Sequence, residues 1–475
     1  MLINGQWVEA TKNKTFDVTN PATGEVIDKV GDGGQAETLA AVDAAEAAFP
    51  AWSGTTAFAR ADILRRAYDL MVERKEHLAT VMTTEQGKPL KAARVEVQYA
   101  ADFLLWFAEE AKRVYGDILP SPRKDQRFMV LRQPVGVVGA ITPWNYPISM
   151  LTRKIAPPLA AGCTVVLKPA EATPLCAVET FKILQEAGVP DGVINLVTGH
   201  DPAPIGEVFI NDPRVRKITF TGSTAVGKHL AAGAGQQMKR ISLELGGHAP
   251  FIVCEDADPI HAAKGAAAVK FLNTGQACIS PNRMYVHKKA LDAFSGELTK
   301  RVGRLKAGNG LEEGIGIGPL VNDKAVAKVE RQVTDAVDKG AALLNGGSRL
   351  LDEGLDKGHF FAPTVLSQVN SDMLIYREET FGPVAAIVPY DDDDDVIAMA
   401  NDTHYGLAAY VYTNQLARAM RLFEALNFGI IGINDINPTA AAAPFGGVKE
   451  SGLGREGGRQ GIDEYLDVKL GGFAI

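Results

Sequence analysis

Cysteine is scarce in this chain. The four present in 475 residues, Cys163, Cys176, Cys254 and Cys278, are too few and too widely spaced for a disulfide scaffold or a zinc-ligand pattern. A reducing compartment fits, and we expect the cytoplasm. Long apolar runs are also lacking: no stretch approaches the ~20 residues of a membrane span. Residues 1 to 10 have no basic head followed by an apolar stretch, which excludes a secretory signal there. Nor is there an excess of basic residues. The 49 Lys and Arg against 57 Asp and Glu leave a net charge of -8, which gives no attraction for nucleic acid or an anionic membrane surface. No internal repeat or low-complexity tract is present. What remains is an ordinary globular composition, 46% hydrophobic and 22% charged, long enough for two or three domains at ~150 residues each.

Residues 2 to 30 alternate short apolar runs with turn pairs (Asn4-Gly5, Asn20-Pro21, Thr23-Gly24), the pattern of a small β-meander. Helical spacing follows over 35 to 49, 57 to 81 and 91 to 114. The stretch from 115 to 135 is punctuated by Gly116-Asp117, Ser121-Pro122 and Gln133-Pro134, and reads as an extended ribbon leaving the body of the domain. After Pro134, apolar strands at 135 to 141, 164 to 168, 193 to 197 and 218 to 220 alternate with helices, one over 174 to 187 and one after Ser223. This predicts an α/β fold with a parallel, doubly wound sheet, whose ligands lie beyond the carboxyl ends of its strands. A second α/β series has strands near 251 to 253, 284 to 286, 384 to 388 and 407 to 412, with a helix over 289 to 302. The acidic run 391 to 395 directly precedes an apolar segment and reads as a helix N-terminus, not a metal site. We expect no metal.

Three local patterns carry chemistry. An alanine-rich helix from residue 262 is interrupted by Asn273, Thr274 and Gly275, which leaves Cys278 on an irregular segment where a thiol can face a cavity. A thiol nucleophile then needs a base to release its acyl product. Glu244 lies between Leu243 and Leu245, before Gly246-Gly247, and apolar flanks raise a carboxylate's proton affinity toward neutral pH. An oxyanion needs donors, and Asn145 sits between Pro143 and Pro147 in a loop that can continue neither strand nor helix. Taken singly, a structural cysteine, an edge-strand glutamate and a capping asparagine are the commoner readings.

Together the three stretches, Pro-Trp-Asn at 143 to 145, Leu-Glu-Leu-Gly-Gly at 243 to 247 and Phe-Leu-Asn-Thr-Gly-Gln-Ala-Cys at 271 to 278, resemble the aldehyde dehydrogenase superfamily, and the likeness runs over essentially the whole chain. The resemblance implies a Rossmann-type cofactor domain, an α/β catalytic domain and a small β oligomerisation element. It makes Cys278 the nucleophile, Glu244 the general base and Asn145 the oxyanion donor beside the Cys278 backbone amide. Residues 220 to 227 look like the family's pyrophosphate turn, with Gly222 and Ser223 as contacts, although the usual Gly-x-Gly-x-x-Gly pattern is missing. Lys168 and Glu171 match the segment that holds the adenine ribose. An acidic residue there accepts from ribose hydroxyls and repels a 2′-phosphate, so NAD is expected over NADP. Glu379 and Phe381 match the segment at the nicotinamide ribose, and Trp144 and Leu245 are expected to line the cofactor cleft.

Within the superfamily the sequence is most similar to succinate-semialdehyde dehydrogenases, through Thr152-Arg153-Lys154, Pro281-Asn282-Arg283 and residues 449 to 456. The resemblance implies that Arg153, Arg283 and Ser451 grip a distal carboxylate on a small aldehyde, a task suited to a bidentate guanidinium. Glutarate semialdehyde, 2-oxoglutarate semialdehyde, sulfolactaldehyde and uncharged aldehydes are the alternatives, and a non-catalytic protein on the same fold is a further one. Ser280 occupies the position where related enzymes often carry a second cysteine, so their regulatory disulfide should be absent. The expected division is a cofactor domain at 1 to 115 and 135 to 246, a catalytic domain at 247 to 445, and an oligomerisation element at 116 to 134 with 460 to 475. A homodimer or homotetramer follows from that element.

Overall fold

The computed structural model describes every residue except Glu353. Its chain forms two large sheets, a three-stranded arm and a separate hairpin. The first sheet has the strand order Gly452–Leu453, Arg240–Glu244, Val215–Thr221, Val137–Ile141, Thr164–Lys168, Ile194–Leu196, Leu2–Ile3, Gln6–Trp7. Its five central strands are parallel. They read as nearly continuous Val, Ile, Leu and Thr because helices cover both faces and leave no side for water. The turn at Thr221, the loop after Ile141 and the end of the Thr164–Lys168 strand share one edge of this sheet, as the doubly wound reading predicts.

Three expectations need correction. Residues 2 to 30 do not form one meander. Leu2–Ile3 and Gln6–Trp7 extend the large sheet, with buried Leu2 opposite Leu196, whereas Thr15–Thr19 and Val26–Gly31 pair apart from it. The helix expected over 57 to 81 is two helices, Ala57–Glu73 and Lys75–Gln86, hinged at Arg74. That hinge lets Leu78, Ala79 and Met82 join the same core as Leu64 and Met71. The helix Ser149–Ala161 was not expected, since all 13 of its residues are buried, Ser149, Thr152, Arg153 and Lys154 among them, and it has no wet face to set off a dry one. Pro157 and Pro158 near its end further disguise it.

The second sheet runs Ala342–Asn345, Thr364–Ser367, Val384–Tyr390, Pro281–His287, Ala249–Val253, Ala408–Tyr412, Ile430–Ile433. All neighbours in it are parallel except the first pair. The acidic run does start a helix, Asp393–Asn401, with Asp392 as its cap. The ribbon is an antiparallel arm of Asp117–Leu119, Gln126–Pro134 and Leu466–Ala474. On it Ile118, Val468 and Leu470 are 76%, 69% and 62% exposed, an apolar sheet left open to water. Among the described residues no helix is long and apolar enough to cross a membrane, and no group of three His, Cys, Asp or Glu side chains is arranged to hold a metal.

Candidate active site

Helix Pro259–Phe271, capped by the Asp258 carboxylate, points its end at the reactive loop. Asn273, Thr274 and Gly275 then take three successive left-handed conformations, with φ of 49°, 59° and 74°. Two of these are costly for residues with a Cβ, and the surroundings hold them. Asn273 Nδ2 donates to the Asn145 carbonyl at 2.8 Å. Thr274 Oγ1 donates to the Gly318 carbonyl and accepts from its N–H, at 3.1 and 3.0 Å. Gln276 is fixed at both ends of its amide by Pro319 and Val321. A Cβ on Gly275 would fall 2.1 Å from the Gly382 carbonyl oxygen, and one on Gly247 would fall 2.1 Å from that of Cys278, so glycine is required at both contacts. Cys278 is thus held on rigid backbone with its thiol half-buried at the cleft.

Asn145 reaches the same cleft from the loop after strand Val137–Ile141. Its Nδ2 donates to the Gln276 carbonyl at 3.0 Å, which uses one amide hydrogen and leaves the second for an oxyanion. The Asn145 carbonyl accepts from Lys88 Nζ at 2.7 Å. Lys88 is paired with Glu96, and Glu96 in turn accepts from the Ile148 and Ser149 N–H groups at 3.1 and 3.2 Å. This buried pair positions the Asn145 loop, and sequence reasoning missed it. Its one local signal is the Gly87 turn, φ 92°, which ends a helix just before Lys88.

Glu244 ends strand Arg240–Glu244, buried, with neither carboxylate oxygen hydrogen-bonded. Burial, and next Glu456, hold its pKa well above the carboxylate range against Arg153, Lys154 and Arg455. Burial likewise pushes the Cys278 thiol up to about 12, opposed by Arg153 and reinforced by Glu244 and Glu379. Burial thus favours the uncharged forms of both the Glu244 carboxyl and the Cys278 thiol.

The three expected clamp residues do not assemble. Arg283 donates through Nη1 to Tyr285 Oη and the Met399 carbonyl, both at 3.0 Å, and through Nη2 to the His248 and Ala400 carbonyls at 3.1 and 2.9 Å. Nη1 and Nη2 thus brace the second sheet, Nε is buried without a partner, and Arg283 does not line the cleft. Ser451 Oγ donates to the Gly246 carbonyl at 2.7 Å and accepts from Gly406 N–H at 2.8 Å, a structural bridge. Of the three, Arg153 shares the electrostatic field of Cys278. Even so it lies fully buried behind Met150, with Nη1 3.4 Å from Met150 Sδ and Nη2 2.9 Å from Glu456.

The cleft itself is a cavity of ≈ 270 Å³. Trp144, Asn145, Gly222, Ser223, Leu245, Cys278, Glu379 and Phe381 line it, joined by Met150 and Lys328, which the sequence did not single out. Trp144 and Phe381 meet edge to face at 5.6 Å. A Cβ on Gly222 would lie 2.4 Å from the Phe220 ring, so the turn into helix Thr224–Gln236 admits a ligand only as glycine. Ser223 caps that helix. Glu379 accepts from Gly247 N–H at 2.9 Å. Two strands away, Lys168 Nζ lies 3.1 Å from Glu171. Burial works against the Glu171 charge, but Lys168 and backbone N–H groups hold its pKa below the usual range. A helix N-terminus, a glycine turn and an ionised carboxylate along one sheet edge fit a dinucleotide.

Comparison with known proteins agrees with this geometry. Residues 7–470 match the aldehyde dehydrogenase family. A mitochondrial succinate-semialdehyde dehydrogenase of Oryza sativa is 52% identical over 468 residues, 98% of this chain and 88% of the relative. A glutarate-semialdehyde dehydrogenase of Pseudomonas putida is 50% identical over 467 residues, 98% of this chain and 96% of the relative. The crystal structure of an NADP dependent enzyme of E. coli superposes with a TM-score of 0.98 at 49% identity, covering 100% of this chain and 98% of that one. With Cys278, Asn145 and the Gly222 turn meeting at one cavity, the chain belongs to the aldehyde dehydrogenase family.

Proposed function

We propose that this enzyme oxidises a small aldehyde with an anionic group at its far end, succinate semialdehyde first, to the matching acid. The observation that carries the reading is that Cys278, Asn145, Glu379 and Phe381 border one cavity. Cys278 loses its proton and attacks the carbonyl carbon, and the oxyanion is met by the Asn145 amide and the Cys278 N–H. A nicotinamide held by Glu379 and Phe381 would supply the hydride acceptor. Glu244 takes a proton from the water that releases the acid, and because its pKa is raised, activity should rise with pH through its titration.

Trp144, Gly222, Ser223, Leu245, Glu379 and Phe381 hold the dinucleotide in this scheme, with Lys168 and Glu171 at the adenine ribose. The ionised Glu171 favours NAD, and the likeness to an NADP dependent enzyme is the reason to compare both cofactors. The names of the two curated relatives support an anionic aldehyde. They do not separate four carbons from five, since one methylene is worth about 1–3 kcal/mol. Glutarate and 2-oxoglutarate semialdehydes and sulfolactaldehyde remain the alternatives. A non-catalytic scaffold would have no use for the complete set of Cys278, Glu244 and Asn145. The open arm supports assembly into a homodimer or homotetramer, and the domain division given above is retained, as is the cytoplasm.

The test is the initial rate of NADH and NADPH formation with succinate, glutarate and 2-oxoglutarate semialdehydes, sulfolactaldehyde and uncharged aldehydes of equal length, using the wild type and Cys278→Ala. Higher kcat/KM on anionic aldehydes and no turnover by Cys278→Ala are expected. Equal rates on uncharged aldehydes would remove the anionic class, and turnover by the variant would overturn the covalent scheme.

A further inference from the structure

Arg153 is one of two cations on a single buried carboxylate. Glu456 Oε2 lies 2.9 Å from Arg153 Nη2, and Glu456 Oε1 takes the Lys154 ammonium; Arg153, Lys154 and Glu456 are 1%, 1% and 4% exposed at their side chains. The two halves of this arrangement differ in quality. Lys154 makes a directed hydrogen bond to Glu456 and another to Thr219 at 3.2 Å. Arg153 Nε, Arg153 Nη2 and Glu456 Oε2 are close enough to attract, yet none forms a properly directed hydrogen bond. Tyr99 Oη is buried and unpartnered as well. Arg153 and Lys154 share the single Glu456 carboxylate, whereas neighbouring Lys217 is matched by Glu464. A guanidinium with undirected N–H groups and a shared counter-ion is suited to a second, planar anion.

The route to it is short. Met150, in contact with Arg153, lines the same cavity as Cys278, so a flexible thioether separates the guanidinium from the reacting thiol. On the opposite face the Phe445 ring covers the guanidinium at 4.0 Å. Phe445 and Glu456 are locked to each other by two backbone hydrogen bonds of 2.7 and 2.8 Å. The aromatic wall and the counter-ion are therefore one unit.

We propose that Glu456 is the resident counter-ion of Arg153 and thereby sets the affinity for anionic substrates: the far-end anion of the aldehyde takes over Arg153 Nε and Nη2, while Glu456 stays on Lys154. The inference rests on the anionic-substrate reading above. It is tested by calorimetric titration of the cofactor-free protein with succinate, glutarate and the uncharged butyramide, in wild type, Glu456→Gln, Glu456→Asp and Arg153→Met. Glu456→Asp keeps the charge at Lys154 while shortening the reach to Arg153, and covers the case in which Glu456→Gln does not fold. Both Glu456 variants should bind the dicarboxylates about tenfold more tightly than wild type and butyramide unchanged, because the competing anion is removed in Glu456→Gln and drawn away from Arg153 in Glu456→Asp. Arg153→Met should bind dicarboxylates no better than butyramide. A wild type that prefers dicarboxylates, with Glu456 variants that fail to tighten, overturns the counter-ion role alone. A wild type that does not distinguish succinate from butyramide overturns the anionic reading and the inference with it.

Discussion

Arg153 and Arg283 are both fully buried, both flanked by aromatic rings, and both were expected to grip the same carboxylate. They have opposite surroundings. Arg283 meets three backbone carbonyls and a tyrosine hydroxyl, four directed bonds that spread its charge over fixed dipoles. Arg153 meets one carboxylate that it shares with a lysine and addresses at a poor angle. Burial of a charge therefore does not mark a functional residue. The two differ in degree and place: Arg283 leaves Nε unpaired, whereas Arg153 leaves Nε and Nη2 unpaired and sits against Met150, which lines the cleft.

The contrast can be broken from either side. Arg283→Met should have the largest effect, on stability: it strands the His248, Met399 and Ala400 carbonyls, and each unsatisfied buried acceptor costs about 1–3 kcal/mol. Urea unfolding should show a loss of several kcal/mol, while the rate ratio for succinate semialdehyde over butanal in the surviving folded fraction stays as in wild type. Changed selectivity would return Arg283 to the substrate site. Arg153→Met comes next and acts on chemistry. Arg153 opposes the upward push on both Cys278 and Glu244, so its removal raises both pKa values and moves both titrations to higher pH. Alkylation of Cys278 by iodoacetamide near pH 8 should slow about tenfold, the equivalent of one pH unit. An unmoved pH profile would make Arg153 a packing residue only. Ser451→Ala should be mildest, losing about 1–2 kcal/mol for its two bonds to Gly246 and Gly406 with no change in the preference for anionic aldehydes.

The proposed catalytic groups stand out in the sequence because each is marked by its immediate neighbours. Leucines flank Glu244, prolines bracket the loop of Asn145, and a helix is visibly broken before Cys278. The strand and helix alternation that places them at one sheet edge was legible for the same reason. Arg283 was misread because what defines it lies far along the chain, at His248, Met399 and Ala400. A charge in the wholly buried strand Pro281–His287 invites a functional reading until those carbonyls are seen. Lys88 and Glu96 escaped notice because their separation matches no helical or strand repeat, and their task, holding the Asn145 carbonyl and the Ile148 N–H, exists only in three dimensions. The buried helix Ser149–Ala161 was invisible because periodicity requires a wet side to contrast with a dry one.

The strand that ends in Glu244 is bordered by Gly452–Leu453, with Glu244 opposite Gly452 and Leu245 N–H bonded to the Ser451 carbonyl at 2.9 Å. As the ribosome delivers the chain, Cys278, Glu244 and Asn145 all emerge long before the segment that finishes their sheet. Until then the nascent enzyme has its reactive groups but an unpaired strand edge beside its base, the kind of edge that recruits other chains. Catalysis is thus a late event in this protein's life. A translation product that stops short of residue 452 leaves the strand of Glu244 with that open edge.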